Sequence, residues 1–191
     1  MGSAQTLSRS IGLHPGSLEH WDEARFRVVF GQHYARIVSV LMRLLGDRYP
    51  AEEVANDAFW RLFRQPALQA DGNVGGWLYR TATNLGLDTL RRSSRRRQYE
   101  GTAGRVAEER AAAGPLDELL REERCRRVRT VLAQIKPAQA QLLVLRASGF
   151  SYQELAEALE VKMSGIGTML NRAEAEFRNR YLALHPNQEA L

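Results

Sequence analysis

Apolar residues recur at intervals of three and four along most of this chain, and no segment alternates strictly between apolar and polar residues. The first spacing places apolar side chains on one face of an α-helix, whereas a half-buried β-strand would need the alternation. The sequence therefore predicts an all-α fold. Its 191 residues suffice for one ordinary domain or two small ones, so a large catalytic barrel is excluded.

Turn-forming residues mark the ends of three predicted helices in the first half of the chain. The first apolar stripe stops at Gly46, a residue that suits the position after a helix end. The second helix has Pro50 in its first turn and stops at Pro66, and the third begins near Val74. We expect the third helix to end in an arginine-rich stretch. The helices of residues 21–98 are predicted to form a three-helix or four-helix bundle.

The composition changes between residues 99 and 118, where three glycines and one proline occur without a sustained apolar stripe. We interpret this stretch as a flexible linker, with room for a helical piece. The linker separates the first predicted domain from a second over residues 119–182. Residues 1–20 and 183–191 are predicted to be tails.

The second predicted domain contains an unusually clear helix start. Ser151-Tyr-Gln-Glu154 is a capping box, in which the serine oxygen accepts from the third helical amide and the glutamate reaches back to the cap. A turn near Glu160 follows, and a further helix is predicted from Met163 to Arg178. The small Ala156 and the apolar Ile166 ten residues later fit a helix-turn-helix. The pattern alone leaves DNA binding open, because other helical corners share it.

Basic residues outnumber acidic ones in both predicted domains. The formal net charge is +5, and 25 of the 27 basic residues are arginines. Residues 21–98 carry 13 basic and 8 acidic side chains, and residues 119–182 carry 11 and 7, whereas the linker carries 2 and 5. Arginine binds phosphate through two hydrogen bonds at once, so the charge favours a polyanion such as nucleic acid. An arginine-rich surface can equally serve solubility.

Several classes of function lack their residues. The single cysteine, Cys125, excludes an internal disulfide, and the four histidines lack metal-ligand spacing, so we expect no metal and no cofactor. No nucleophile motif or phosphate-binding loop supports an enzyme, and we expect no small-molecule substrate. No run approaches the roughly 18 apolar residues of a membrane span, and no export signal opens the chain. We therefore expect a cytoplasmic protein without a membrane span.

Three stretches carry a resemblance to a known family. They are AEEVANDAFWRLF at 51–63, GWLYRTATNLGLDTLRR at 76–92 and SYQELAEAL at 151–159. In this order and at this separation they resemble region 2 and region 4 of the bacterial RNA polymerase sigma factors of the extracytoplasmic-function (ECF) group. The resemblance spans about residues 24–182.

The resemblance implies a specificity subunit rather than an enzyme. Such a protein binds core RNA polymerase, recognises the −10 and −35 elements of a promoter and helps to open the duplex. Its implied partners are core RNA polymerase and promoter DNA, both as duplex and as melted non-template strand. An anti-sigma protein is a further candidate partner, because family members are often held inactive by one.

The resemblance also assigns residues to three surfaces. The polymerase-docking surface comprises Glu53, Asp57, Trp60 and Arg61. The −10 surface comprises Trp77, Tyr79, Arg80, Asn84, Asp88, Arg91 and Arg92. The −35 surface comprises Lys162, Ser164, Thr168, Asn171 and Arg172. A base that is flipped out of the duplex loses its stacking energy, which aromatic rings and polar groups of a protein can replace. The residues of the −10 surface include both kinds of side chain.

Simpler explanations exist for the same residues. Carboxylates near the start of a helix interact favourably with its dipole. Trp77 can be a core residue, Tyr79 an ordinary surface residue of an amphipathic helix, and the arginine run a solvated helix end.

The −35 surface departs from the family pattern. Two expected cations are missing, and Gly165 and Gly167 each cost a helix up to about 1 kcal/mol relative to alanine. One alternative is therefore a sigma factor whose region 4 relies on a partner protein instead of strong −35 reading. Another is a stand-alone helix-turn-helix regulator that binds duplex DNA without polymerase. We also expect the acidic linker to mimic nucleic acid near the polymerase channels.

Overall fold

A computed structural model describes residues 21–69, 72–103 and 116–186. These residues form seven α-helices and one short 3₁₀ helix, and contain no β-strand. The helices are α1 (Glu23–Leu45), α2 (Arg48–Phe63), α3 (Val74–Ala103), α4 (Leu116–Gln134), α5 (Pro137–Ala147), α6 (Tyr152–Leu159) and α7 (Met163–Leu184), with the 3₁₀ helix at Pro66–Gln69. The predicted all-α class is confirmed.

The first bundle consists of α1, α2 and α3. Gly46 ends α1 with a φ of 78°, as its position in the sequence predicted. Asp47 caps α2 by accepting a hydrogen bond of 3.0 Å from the amide of Tyr49, so α2 begins two residues before Pro50. The core is aromatic where the first half of α1 meets the end of α2, and the ring centroid of Phe30 lies 4.8 Å from that of Phe59. It is aliphatic along the second half of α1, at Ile37, Leu41 and Leu44.

The arginine-rich stretch continues α3, and the prediction that the helix dissolves there is wrong. Arginine is a good helix former, and most of these side chains are exposed, so their charges stay in water. Helix α3 runs to Ala103 and α4 begins at Leu116. Both ends of the predicted linker are therefore helical. This is compatible with the prediction, which allows a helical segment within the linker. Residues 104–115 and the N-terminal tail lie outside the described residues. The predicted mimicry of nucleic acid by the linker therefore stays a prediction.

The second bundle consists of α4 to α7 and contains the predicted helix-turn-helix. The capping box is present at the start of α6, and Glu160 ends that helix in the left-handed region with a φ of 55°. Ala156 and Ile166 are buried, as their spacing predicted. Helix α7 extends six residues past Arg178, since Tyr181 packs into the core at 2% exposure.

The two bundles pack directly against each other. Helix α3 contacts α4, α5 and α6, and α1 contacts α5. No described helix is long and apolar enough to cross a lipid bilayer.

Candidate nucleic-acid interface

The residues assigned to the −35 surface share one exposed face of the helix-turn-helix. Ser164, Thr168, Asn171 and Arg172 follow one another at intervals that return to the same side of α7, and all are exposed. Lys162 is exposed at the N-cap position of the same helix. The opposite side carries the buried core residues. This face is therefore free to enter a groove.

The two glycines of α7 are not required by packing. A Cβ atom at Gly165 would meet nothing within 4 Å, and one at Gly167 would meet only the ring of Tyr152, at 3.9 Å. Both lie on the first turns of the helix, next to the exposed face. Their missing side chains leave the backbone accessible there.

The residues assigned to the polymerase-docking surface are exposed along α2. Glu53, Asp57, Trp60 and Arg61 recur at helical spacing. Trp60 is 59% exposed and stacks on Phe63 with ring centroids 6.0 Å apart. Arg61 forms an ion pair of 3.2 Å with Asp57. Tryptophan is enriched among the residues that contribute most to binding at protein interfaces, so the exposed indole is compatible with a docking surface.

The residues assigned to the −10 surface divide into two groups along α3. Asn84, Asp88 and Arg92 are exposed, and Trp77 is half-buried beside the first-bundle core. These four lie toward one side of the helix. The other three, described next, face the second bundle.

Tyr79, Arg80 and Arg91 are covered by the second bundle. Tyr79 is only 6% exposed, and its ring meets Phe150 edge-on with centroids 4.7 Å apart. The alternative of Tyr79 as a surface residue is therefore wrong, because the turn before α6 packs on it. Arg80 forms an ion pair of 2.5 Å with Glu160. Arg91 donates hydrogen bonds of 3.2 and 3.1 Å to the carbonyls that end α4, those of Ala133 and Ile135.

Arg36 is the centre of a contact that the sequence did not indicate. Its guanidinium lies 2.7 Å from a carboxylate oxygen of Glu154 and 4.0 Å from the ring centroid of Phe150. It also lies 5.5 Å from the ring centroid of Tyr79. In the sequence Glu154 is explained by the capping box alone, and nothing local marks Arg36 as its partner, 118 residues away.

These contacts shift the pKa values of several groups, among them Glu154, Tyr79 and His33. The hydrogen bond from Arg36, reinforced by the Ser151 amide, lowers the pKa of Glu154 to about 2. Burial raises the pKa of Tyr79. Burial, followed by the nearby charge of Arg36, lowers the pKa of His33, whose Nδ1 lies 3.3 Å from the hydroxyl of Tyr79. At neutral pH the contact therefore contains a charged carboxylate, a neutral phenol and a neutral imidazole.

The turn before α3 also reaches the second bundle. Asn73 caps α3 by accepting a hydrogen bond of 3.1 Å from the Gly76 amide, and its Nδ2 donates 2.8 Å to the carbonyl of Glu157. The turn therefore touches α6 in this arrangement, and its residues 70 and 71 lie outside the described part of the chain.

The fold defines the class of protein: two helical bundles, the second of which carries a helix-turn-helix. Residues 29–96 match the Sigma-70 region 2 model, and residues 125–177 match the Sigma-70, region 4 model. The two matches together cover more than half of the chain, which therefore belongs to the sigma-70 family of RNA polymerase sigma factors. It is of the ECF type. Both matches fall inside the predicted domains, whose exact boundaries stay predictions.

Individual relatives agree with this assignment. The chain is 28% identical to the ECF RNA polymerase sigma factor SigE of Mycolicibacterium smegmatis, over 91% of this chain and 66% of that protein. It is 27% identical to the probable ECF sigma factor SigI of Mycobacterium tuberculosis, over 79% and 53%. The chain thus spans only about half to two thirds of these two relatives. A solved structure of Bartonella quintana RpoE in complex with the anti-sigma factor NepR is 22% identical, with a TM-score of 0.46, over 86% of this chain and 99% of that one.

Proposed function

We propose that this protein is an alternative sigma factor, which binds core RNA polymerase, recognises promoter −10 and −35 elements and promotes DNA melting. The observation that supports this best is the pair of exposed helical faces on separate bundles. The face of α2 presents Trp60 to solvent, and the face of α7 presents Ser164, Thr168 and Asn171. A regulator that acts on duplex DNA alone needs the second face but has no use for the first.

Each surface has a proposed task. Trp60, flanked by Glu53, Asp57 and Arg61, would dock on core polymerase. On α3 the side chain of the exposed Asn84 offers both a hydrogen-bond donor and an acceptor to the edge of an extruded base. Trp77 lies on the same side of the helix, seven residues earlier. Arginines of α3 would hold the phosphates of the melted strand. The protein itself catalyses no reaction in this proposal and needs no cofactor.

Residues 21–98 and 119–182 would act as the two functional domains in the cytoplasm. An anti-sigma protein remains a candidate partner by family resemblance.

Reconstitution tests this proposal directly. The purified protein is mixed with bacterial core polymerase, tested for co-elution, and supplied with a fragmented genomic template. We expect a complex that initiates at a few sites, and the transcripts would reveal the promoter sequence. A protein that ignores polymerase but binds duplex DNA alone, as a dimer, would instead be a stand-alone regulator.

A second version of the proposal concerns the −35 element. The exposed face of α7 presents only Lys162 and Arg172 as cations near its start, which gives little attraction for phosphate. In this version region 4 relies on a partner protein for stable −35 contact. Upstream footprints that appear only when a cell extract is added to the reconstituted complex would favour it.

A further inference from the structure

A small cavity lies where α3 and α4 meet the end of α1. Its volume is about 190 Å³. Leu45 and Leu90 give it apolar walls, and its cations are Arg97, Arg126 and Arg129. None of the described residues that line it is acidic. Pockets for drug-sized ligands begin at about 300 Å³, so this cavity suits a compact anionic group.

Arg129 is held in place by the end of α1. Gly46, the last residue of that helix, has no side chain, and a Cβ atom there would collide with the guanidinium of Arg129. The carbonyl groups at the end of a helix attract a cation, which accounts for this position. The contact leaves one donor unused, because the Nε of Arg129 is buried and has no hydrogen-bond partner among the described residues.

The cations of the cavity are not balanced by carboxylates. Neither Arg97 nor Arg129 forms an ion pair within the described part of the chain. Arg126 pairs with Glu123 at 2.9 Å, but Glu123 also pairs with a second arginine, Arg127, at 3.0 Å. Like charges repel more strongly where protein walls replace water. An anion with at least two negative charges would therefore stabilise this cluster.

The donors of the cavity match phosphate oxygens. A guanidinium binds phosphate through two parallel hydrogen bonds. The hydroxyl of Thr89, on the α3 wall, has no hydrogen-bond partner among the described residues, so it can donate as well. Ser93 cannot donate at the same time, since its hydroxyl already donates 2.9 Å to the carbonyl of Leu90. Several donors therefore converge on a space of phosphate size.

A second cavity lies on the other side of Arg126 and Arg129, which line both spaces. Its volume is about 380 Å³, and Glu118 and Glu122 contribute to its walls. These carboxylates repel phosphate but accept hydrogen bonds from hydroxyl and amino groups. A phosphorylated organic molecule would therefore be oriented, with its phosphates on the Arg97 side and its organic part on the carboxylate side.

We propose that the smaller cavity binds the diphosphate group of a small phosphorylated molecule, through Arg97, Arg126 and Arg129. Such a ligand bridges α3 and α4 and stabilises the folded chain as its concentration rises. The inference is independent of the proposed function, since neither polymerase nor promoter takes part in the binding.

The test is isothermal titration calorimetry of the full chain with inorganic diphosphate, at an ionic strength held constant with sodium chloride. Arg97→Ala and Arg129→Ala remove cations of the cavity. The matched controls are Arg95→Ala on α3 and Arg124→Ala on α4, both exposed and outside the two cavities. We expect each cavity variant to weaken diphosphate binding at least about tenfold, because it removes charge-assisted hydrogen bonds. The controls should change it less than about twofold, since exposed charges are screened.

Thermal unfolding gives a second readout. Diphosphate at about 100 times its Kd should raise the Tm of the wild type by about 5–10 °C, and the Tm of Arg129→Ala much less. Arg129→Lys is included in case the alanine variant impairs folding. It keeps the charge but loses the two-bond geometry, so we expect an intermediate Kd. Circular dichroism checks that each variant keeps its helices.

Three results would overturn the proposal. The first is no binding heat and no change in Tm with diphosphate. The second is equal weakening in the cavity variants and the controls, which would mean unspecific attraction to a basic surface. The third is a labelled single-stranded 20-mer that binds in dependence on Arg97 and Arg129 while diphosphate does not. That outcome would assign these cations to the nucleic-acid surface instead.

Discussion

Gln141 and Thr83 are joined by a hydrogen bond of 2.6 Å although 58 residues separate them, and both are more than nine-tenths buried. Neither belongs to an apolar stripe, and each would be expected on a solvated face if its bundle stood alone. The Thr83 hydroxyl donates a hydrogen bond of 2.6 Å to the carbonyl of Tyr79 in its own helix, whereas the side-chain amide of Gln141 donates to α3, in the other bundle. The pair therefore marks the contact between bundles as a specific one, because a buried amide without a partner costs about 1–3 kcal/mol.

The first prediction concerns docking. Trp60→Ala should weaken binding to core polymerase at least about tenfold, because exposed tryptophans often contribute most at protein interfaces. The control is Val28→Ala, which removes an apolar side chain of similar exposure, 58%, from α1. Competition binding measures both. Equal effects of the two substitutions would contradict a specific role for Trp60.

The second prediction separates base reading from phosphate contact on α7. Once the promoter is known, Thr168→Ala and Asn171→Ala should reduce discrimination between promoter and mutated −35 duplexes at constant salt dependence. Arg172→Ala should weaken all duplexes alike and reduce the salt slope by about 1. Upstream protection that is lost in Lys162 or Arg172 variants, yet unaffected at Thr168 and Asn171, would contradict base reading.

The third prediction concerns Glu154. Its pKa is lowered to about 2 from the ordinary value of 4.5, so its charge stabilises the fold above pH 4.5, and this contribution is lost as the pH falls toward 2. Glu154→Gln keeps a capping-box residue but removes the charge. At pH 7 we expect a loss of about 0.5 kcal/mol, because a side chain that is 38% exposed is screened by water. Urea unfolding at several pH values should show the difference vanish near pH 2.

The fourth prediction concerns the contribution of His33 to the pH dependence of stability just below neutral pH. Burial lowers its pKa from 6.5, so the unfolded chain takes up its proton first on acidification. Stability is therefore complete above pH 6.5 and declines as the pH falls below it. His33→Gln should flatten this decline in urea unfolding between pH 7.5 and 5. An identical slope in the variant would assign the decline to other groups.

The fifth prediction compares two glycines with the same backbone conformation. Gly46 and Gly149 have φ values of 78° and 85°, but a Cβ atom at Gly46 would collide with the guanidinium of Arg129, whereas one at Gly149 meets nothing within 4 Å. Alanine at Gly149 should cost about 1–2 kcal/mol from strain alone. Alanine at Gly46 should cost little more than that, because the colliding guanidinium is the far end of a flexible side chain and can move aside, and Arg129→Ala should cancel any excess in a double-mutant cycle.

Local signals predicted the elements of this fold well. Gly46 and the capping box at Ser151 both lie at the helix ends that the sequence indicated, since these ends depend on a few neighbouring residues. The sequence predicts too short an α3, because a run of charged residues without apolar spacing resembles a solvated helix end. The high helix propensity of arginine, rather than apolar spacing, lets α3 continue through this stretch.

The candidate site was predictable only where it faces solvent. The residues of the α2 and α7 faces are exposed as their spacing implies. Tyr79 and Arg80 could not be placed, because their surroundings come from Phe150 and Glu160, far along the chain. No periodicity within one helix encodes which second helix covers it. Arg36 illustrates this most clearly, because the capping box with Ser151 fully accounts for Glu154 in the sequence and gives no reason to expect a distant partner.

Glu154 joins two structural tasks in one carboxylate. It closes the capping box with Ser151 at 2.7 Å from that residue's amide, and it holds Arg36. When Arg36 withdraws, the capping box is still complete, so α6 has no reason to fray. Loss of the Arg36 contact would therefore leave the start of α6 intact rather than unfold it. DNA bound at the exposed face of α7 would then meet a helix-turn-helix whose first helix is already ordered, which lowers the ordering cost of binding.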